Sequence, residues 1–159
     1  MPHTPAETVV IGCDHAAVAL KDHLRAALAA RGLAVHDVGT HDTASVDYPD
    51  IAAALCAAIP VTATRGVLLC GSGIGMAMAA NRQPHIRAAL CHDHLSAQMS
   101  RQHNDANVLV LGARLIGDAT AKDCLDIFLD TPFEGGRHSR RLAKFSPCGN
   151  PTVPEEFLR

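Results

Sequence analysis

The sequence predicts an α/β fold in three layers, α/β/α, with a five-stranded parallel sheet between helices. Three observations predict it. Short aliphatic runs alternate five times with helix-length segments, and the links between them are short, the pattern of strands joined by crossover helices. One run, Val67-Leu68-Leu69-Cys70, opens directly into Gly71-Ser72-Gly73-Ile74-Gly75, a strand that turns at once into a helix. No internal repeat or linker divides the 159 residues, so one domain is expected, its core about 8–146 and a C-terminal tail over 147–159.

Thr8 to Cys13 is the first β-rich run, closed by glycine. Asp14 stands where a helix N-cap is expected, and Ala17, Leu20, Leu24, Ala27 and Leu28 follow at helical spacing until Gly32 stops them. Leu33 to Val38 reads as strand two. Pro49 suits the first turn of a helix running to Ile59. Gly66 to Cys70 is strand three, and Ile74 to Arg82 a helix of small residues. Arg87 to Cys91 and Asn107 to Leu111 are strands four and five, separated by a helix from His94 to Gln102. Asp118 is placed to cap a helix to about Leu129, and Arg137 to Lys144 is a last helix.

Bulk properties remove several classes of function. Net charge is −2 with no basic stripe, so nucleic acid is not an expected partner. Every apolar run is broken by charge, Gly or Pro well before the ~20 residues of a membrane span, so no membrane partner is expected. The first residues, Met1-Pro2-His3-Thr4-Pro5, have neither a basic nor an apolar leader region, and cytoplasmic location is the expectation. Six cysteines without a Cys-x-x-Cys pair, in a chain rich in aliphatics, read as reduced thiols. With no Trp, one Tyr and four Phe, little stacking surface exists for bases.

In a parallel sheet of this kind, ligands bind outside the C-terminal ends of the strands. Polar residues gather there. After strand one comes Asp14-His15, which fits equally an N-cap beside a solvent-facing histidine or a functional pair. After strand three, Cys70 precedes a loop whose free backbone N–H groups attract anions. A thiol beside a helix N-terminus is favoured as thiolate. For Cys13, Cys56, Cys91 and Cys124 inert packing is the reading. The loop is not a dinucleotide fingerprint, since Met76 stands where a glycine is required, and no Gly-Lys-Ser/Thr closes it as a P-loop.

Arg101-Gln102-His103-Asn104-Asp105-Ala106-Asn107 is a dense polar cluster before strand five. A helix C-cap accounts for Asn104 and a solvated face for Arg101, leaving His103 as a general acid or base. Arg114 follows strand five. Arg137 and Arg141, four apart, share a helix face, either solvated or suited to phosphate oxygens. His92 and His94 have metal-ligand chemistry but no third ligand at close spacing, and no metal site is expected.

Five motifs in order carry a specific resemblance: Gly12-Cys13-Asp14-His15, Asp47-Tyr48-Pro49, Cys70 to Gly75, Ser100 to Asn107, and Glu134-Gly135-Gly136-Arg137-His138. Together they resemble the type B ribose-5-phosphate isomerases, a family that also includes isomerases of allose and galactose 6-phosphates. The resemblance covers about Val9 to Phe145 and implies a Rossmann-like domain and aldose–ketose isomerisation through a cis-enediolate. It implies Cys70 as the base; members that use a glutamate carry it where this chain has Met76. Gly71, Gly73, Ile74 and Gly75 with Ser72 would hold the enediolate oxygens. His103 would open the furanose ring beside Asn104, Asp14 would handle the hydroxyl proton, and Tyr48 would touch the sugar. His15, Arg114, Arg137 and Arg141 match phosphate-binding positions. It further implies a phosphorylated sugar as substrate, no cofactor, and a homodimer or dimer of dimers with sites at the subunit interface. Which sugar phosphate is taken stays open between ribose 5-phosphate and four- or six-carbon alternatives. A non-catalytic phosphate-binding domain is the alternative from another class.

Overall fold

The computed structural model describes residues 7–59 and 65–145. The tail expected after Pro147, with Cys148, lies outside them. Within them the chain alternates β1 (Thr8–Cys13), α1 (Val18–Ala30), β2 (Ala34–Asp37), α2 (Tyr48–Ala58), β3 (Arg65–Cys70), α3 (Ile74–Ala80), β4 (Ala88–Leu90), α4 (His94–Asn104), β5 (Val108–Gly112), α5 (Asp118–Asp130) and α6 (Arg137–Leu142). All five strands are parallel, in the order β2-β1-β3-β5-β4. The three-layer α/β/α fold with a five-stranded parallel sheet is therefore the one expected.

Successive side chains of a strand point to opposite faces, and the central strands are apolar on both. Val9, Ile11, Val67, Leu69, Leu109 and Leu111 pack with α1, α4 and α5 into one core. Val10, Leu68, Val108 and Val110 pack with α2 and α3 into the other. At Gly66 the close approach of α2 requires glycine, since a Cβ would lie 2.7 Å from Ile59 Cδ1.

Two expected caps are corrected. The Asp14 carboxylate accepts the Ala16 N–H at 2.9 Å, an Asx turn that delays α1 to Val18. Asp118 is the first helical residue of α5, after the N-cap Gly117. Its carboxylate complements the helix dipole without capping it. Strand four is shorter than the expected Arg87–Cys91, because at the sheet edge it has only β5 to pair with.

The chain leaves β1 for β2 on one side and crosses back to β3 on the other. The switch point of the sheet thus lies between the C-terminal ends of β1 and β3, where ligand crevices form. Cys13-Asp14 and Cys70-Gly71 are the residues there.

Candidate active site

Cys70 ends β3, paired with Gly112 of β5, and is 5% exposed. Its Sγ accepts the Gly73 N–H at 3.1 Å, so the loop folds back over the sulfur. Gly73 has φ +77, and a Cβ there would lie 2.5 Å from Leu90 Cδ1; both facts demand glycine. Ser72 Oγ accepts the Ile74 N–H at 3.3 Å. The Arg114 backbone N–H donates to Gly71 O at 2.9 Å, and its guanidinium lies over Gly71. Gly75 faces the ring of Tyr48, where a Cβ would meet Cζ at 2.5 Å.

These groups line a cavity of about 610 Å³ with Asp14, Tyr48, Cys70, Ser72 and Arg114 on its walls. Ile74, Met78 and Leu115 supply an apolar rim. Met76 does not line it: the side chain is fully buried in the core beneath. His15 stands beside Asp14 with its Nδ1 accepting the Val46 N–H at 3.3 Å. In the neutral ring that bond leaves the proton on Nε2, a donor suited to an anionic oxygen.

The structure does not bring His103 and Asn104 to this cavity. Helix α4 runs antiparallel to the strands, so its C-terminal turn lies at the N-terminal edge of the sheet, where Arg87 and Asn107 meet. The four-residue step from Gly66 to Cys70 alone separates the edges by ~13 Å. The polar residues thus divide between the two edges of the sheet and do not gather at the C-terminal one alone.

The second edge is tightly built. Asp105 ends α4 with φ 43, a non-glycine residue in the left-handed region. Its carboxylate takes Arg87 Nη2 and Arg101 Nη1, each at 2.9 Å. Arg101 is 2% exposed and also donates to Ala106 O and Thr131 O, with its guanidinium 5.7 Å from the Phe128 ring centre. It is therefore no solvated face, and the C-cap is Asp105 rather than Asn104. This frame fixes the turn that carries His103.

Against that turn packs the segment Glu134 to Arg141. Gly135 and Gly136 both have positive φ, +66 and +56, so the chain reverses into α6. The His103 and His138 rings stack, 4.3 Å between centres and 7° from parallel. Glu134 Oε2 lies 4.0 Å from His103 Nε2 and 3.8 Å from His138 Nε2. Desolvation, then the neighbouring His103, Arg137 and Arg141, pull the His138 pKa down. Glu134 and His138 lie in the last of the five motifs, and only the fold shows that they pack on His103.

His103, Glu134 and His138 also form a possible ligand set for a cation. Nearly parallel rings aim their in-plane lone pairs along parallel lines, and Arg137 Nε points at His138 Nε2 at 3.4 Å. A positively charged edge suits an anion instead. His94 Nδ1 meets Asp123 at 3.1 Å across to α5. Cys13, Cys56, Cys70, Cys91 and Cys124 are free and buried.

Residues 9–145 match the family model described as Ribose/Galactose Isomerase. The chain belongs to the ribose/galactose isomerase family. It is accordingly a sugar phosphate isomerase. It is 42% identical over 135 residues to ribose-5-phosphate isomerase B of Escherichia coli, covering 84% of this chain and 91% of that one. It is 44% identical over 139 residues to D-erythrulose-4-phosphate isomerase of Pectobacterium atrosepticum, covering 86% and 91%. The crystal structure of a ribose 5-phosphate isomerase of Thermotoga maritima superposes with TM-score 0.84 at 48% identity, covering 87% and 96%. Among the described residues no helix is long and apolar enough to cross a membrane.

Proposed function

We propose that this isomerase interconverts D-ribose 5-phosphate and D-ribulose 5-phosphate, with Cys70 as the base. The observation that carries the reading is the seat of Cys70: a sulfur held by the Gly73 N–H, at the switch point of the sheet, in a cavity shared with Asp14 and Ser72. The C2 proton of an open-chain aldose phosphate is weakly acidic. Removing it requires a base and, at the same moment, donors for the oxyanion that forms. Cys70 takes the C2 proton and returns it to C1. The N–H groups of the Gly71–Gly75 loop and the Ser72 hydroxyl receive the charge on the cis-enediolate oxygens. Asp14 carries the hydroxyl proton from O2 to O1, so the overall reaction is neutral. His15, Arg114, Arg137 and Arg141 bind the phosphate, Tyr48 and Asn104 bound the sugar, and His103 opens the ring by proton transfer at the ring oxygen.

Cys70 and His103 stand at opposite edges of one sheet, so a single substrate requires His103 from a second copy. The working unit in this reading is a homodimer. The exposed apolar side chains Ile74 (49%), Met78 (67%), Leu95 (60%) and Leu115 (55%) give the second copy something to cover.

Cys70→Ala is the test. Loss of a positioned base costs about 10²–10⁴ in rate, so the variant should lose at least that factor in ketose formation while phosphate still protects it against heat. In deuterated water the wild type should place solvent deuterium at C1 in the fraction of turnovers in which the Cys70 proton exchanges with solvent before it is returned. Unchanged turnover by Cys70→Ala would remove the thiol from the mechanism. A four-carbon substrate is the second reading, favoured by 44% identity to the Pectobacterium enzyme. Relative kcat/KM across four-, five- and six-carbon aldose phosphates decides between them.

A further inference from the structure

Lys21 is fully buried, where a lysine is rarely found unless its head group is paired. Its Nζ lies 3.1 Å from Asp37 Oδ1, 2.7 Å from Thr40 O and 3.3 Å from His41 Nδ1, one acceptor for each N–H. Asp37 Oδ2, 2.8 Å away, is held by charge without the alignment of a hydrogen bond. Arg25 Nε approaches the same oxygen at 3.4 Å.

Burying an ammonium group is costly, and an apolar side chain would fasten α1 to the sheet as well or better. What an apolar side chain cannot do is grip a backbone carbonyl. The carbonyl gripped here is Thr40, in the connection from β2 to α2. The same residue is tied to β1, its N–H donating to Cys13 O at 3.1 Å. Gly39 passes so close that a Cβ would lie 2.4 Å from Cys13 N. Residues 41–47 then lead to Tyr48. On the way the Val46 N–H holds His15 Nδ1, and at the end the Tyr48 ring rests on Gly75.

We propose that Lys21 is a positioning residue for the substrate cavity: by anchoring the β2–α2 connection at Thr40 it sets where His15 and Tyr48 stand. The inference rests on the reading of that cavity as a sugar phosphate site. Lys21 touches no substrate, and its effect falls on binding more than on the chemical step.

The test uses the full chain with Lys21→Met, the double variant Lys21→Met/Asp37→Leu, and Gly39→Ala, which forces the connection away from Cys13 with Lys21 and Asp37 both still present. Each is assayed at a temperature where its thermal transition shows it folded. KM for ribose 5-phosphate should rise tenfold or more with kcat within threefold, and inorganic phosphate should inhibit correspondingly less. Independently of activity, the Val46 amide should exchange with solvent at least tenfold faster. A folded double variant with wild-type KM, phosphate inhibition and Val46 exchange would reduce Lys21 to a packing role. Should the lysine variants not fold, a native Gly39→Ala with unchanged values overturns the proposal equally. Wild type that neither turns over sugar phosphates nor responds to phosphate would instead remove the cavity reading, and Val46 exchange would still judge the anchor.

Discussion

A mixture of two dead enzymes should recover activity. Cys70 ends β3 at one edge of the sheet, while His103 lies in the last turn of α4 at the other. In a two-fold symmetric dimer each site would take Cys70 from one protomer and His103 from its partner. Cys70→Ala and His103→Ala homodimers then have no intact site. A mixed dimer has one site carrying both substitutions and one carrying neither. With random exchange half the dimers are mixed, and half of their sites are intact, so about one quarter of wild-type activity returns. The assay is ketose formation after the two variants are partly unfolded together and refolded, with each variant treated alone as control. Differently tagged subunits measure the mixed dimer directly. Mixed dimers demonstrated by the tags, with no activity above the single variants, would show that one chain supplies both groups and would refute the divided site.

Four further outcomes follow from the loop, the buried thiols and His138. Gly73→Ala puts a side chain at φ +77 against Leu90 and Leu111; the left-handed backbone alone costs about 1–2 kcal/mol, so the melting temperature should drop and turnover should fall with it. Burial pushes the Cys13 and Cys124 thiols up to about 12 and Cys91 to about 11. The unfolded chain therefore loses these protons first, and stability present below pH 9 should decline between pH 9 and 12, by at most about 1.4 kcal/mol per pH unit and thiol. The same three thiols should resist a thiol reagent at pH 8 until the protein unfolds; rapid labelling of the native state would contradict their burial. Because desolvation and then the neighbouring His103 pull the His138 pKa down, its imidazole should titrate below a free histidine by NMR and move upward in His103→Asn. Its contribution to stability is present above the ordinary histidine range and is lost as pH falls through the lowered value.

The fold was readable because its signals are local. Aliphatic runs, helical spacing and glycines mark each element on their own, and parallel strands follow from the crossovers. The glycine loop was readable for the same reason: Gly73 needs positive φ wherever the chain goes next. Errors came where a local rule had a tertiary competitor. Asp14 looks like a cap, but its carboxylate closes a turn that starts the helix later. Arg101 looks like a surface residue, but Asp105, Ala106 and Thr131 form a buried seat for it.

The sequence also named the chemical groups, since a thiol, a histidine and arginines keep their chemistry in any fold. It could not say which of them meet. A helix that returns antiparallel to its strand carries its last turn to the opposite edge, so Cys70 and His103 part, while Asp14 and Cys70, 56 residues apart in the chain, are joined by the pairing of β1 with β3. The burial of Lys21 was hidden in the same way. Its three acceptors come from a strand end and a loop that only the folded chain brings within reach of α1.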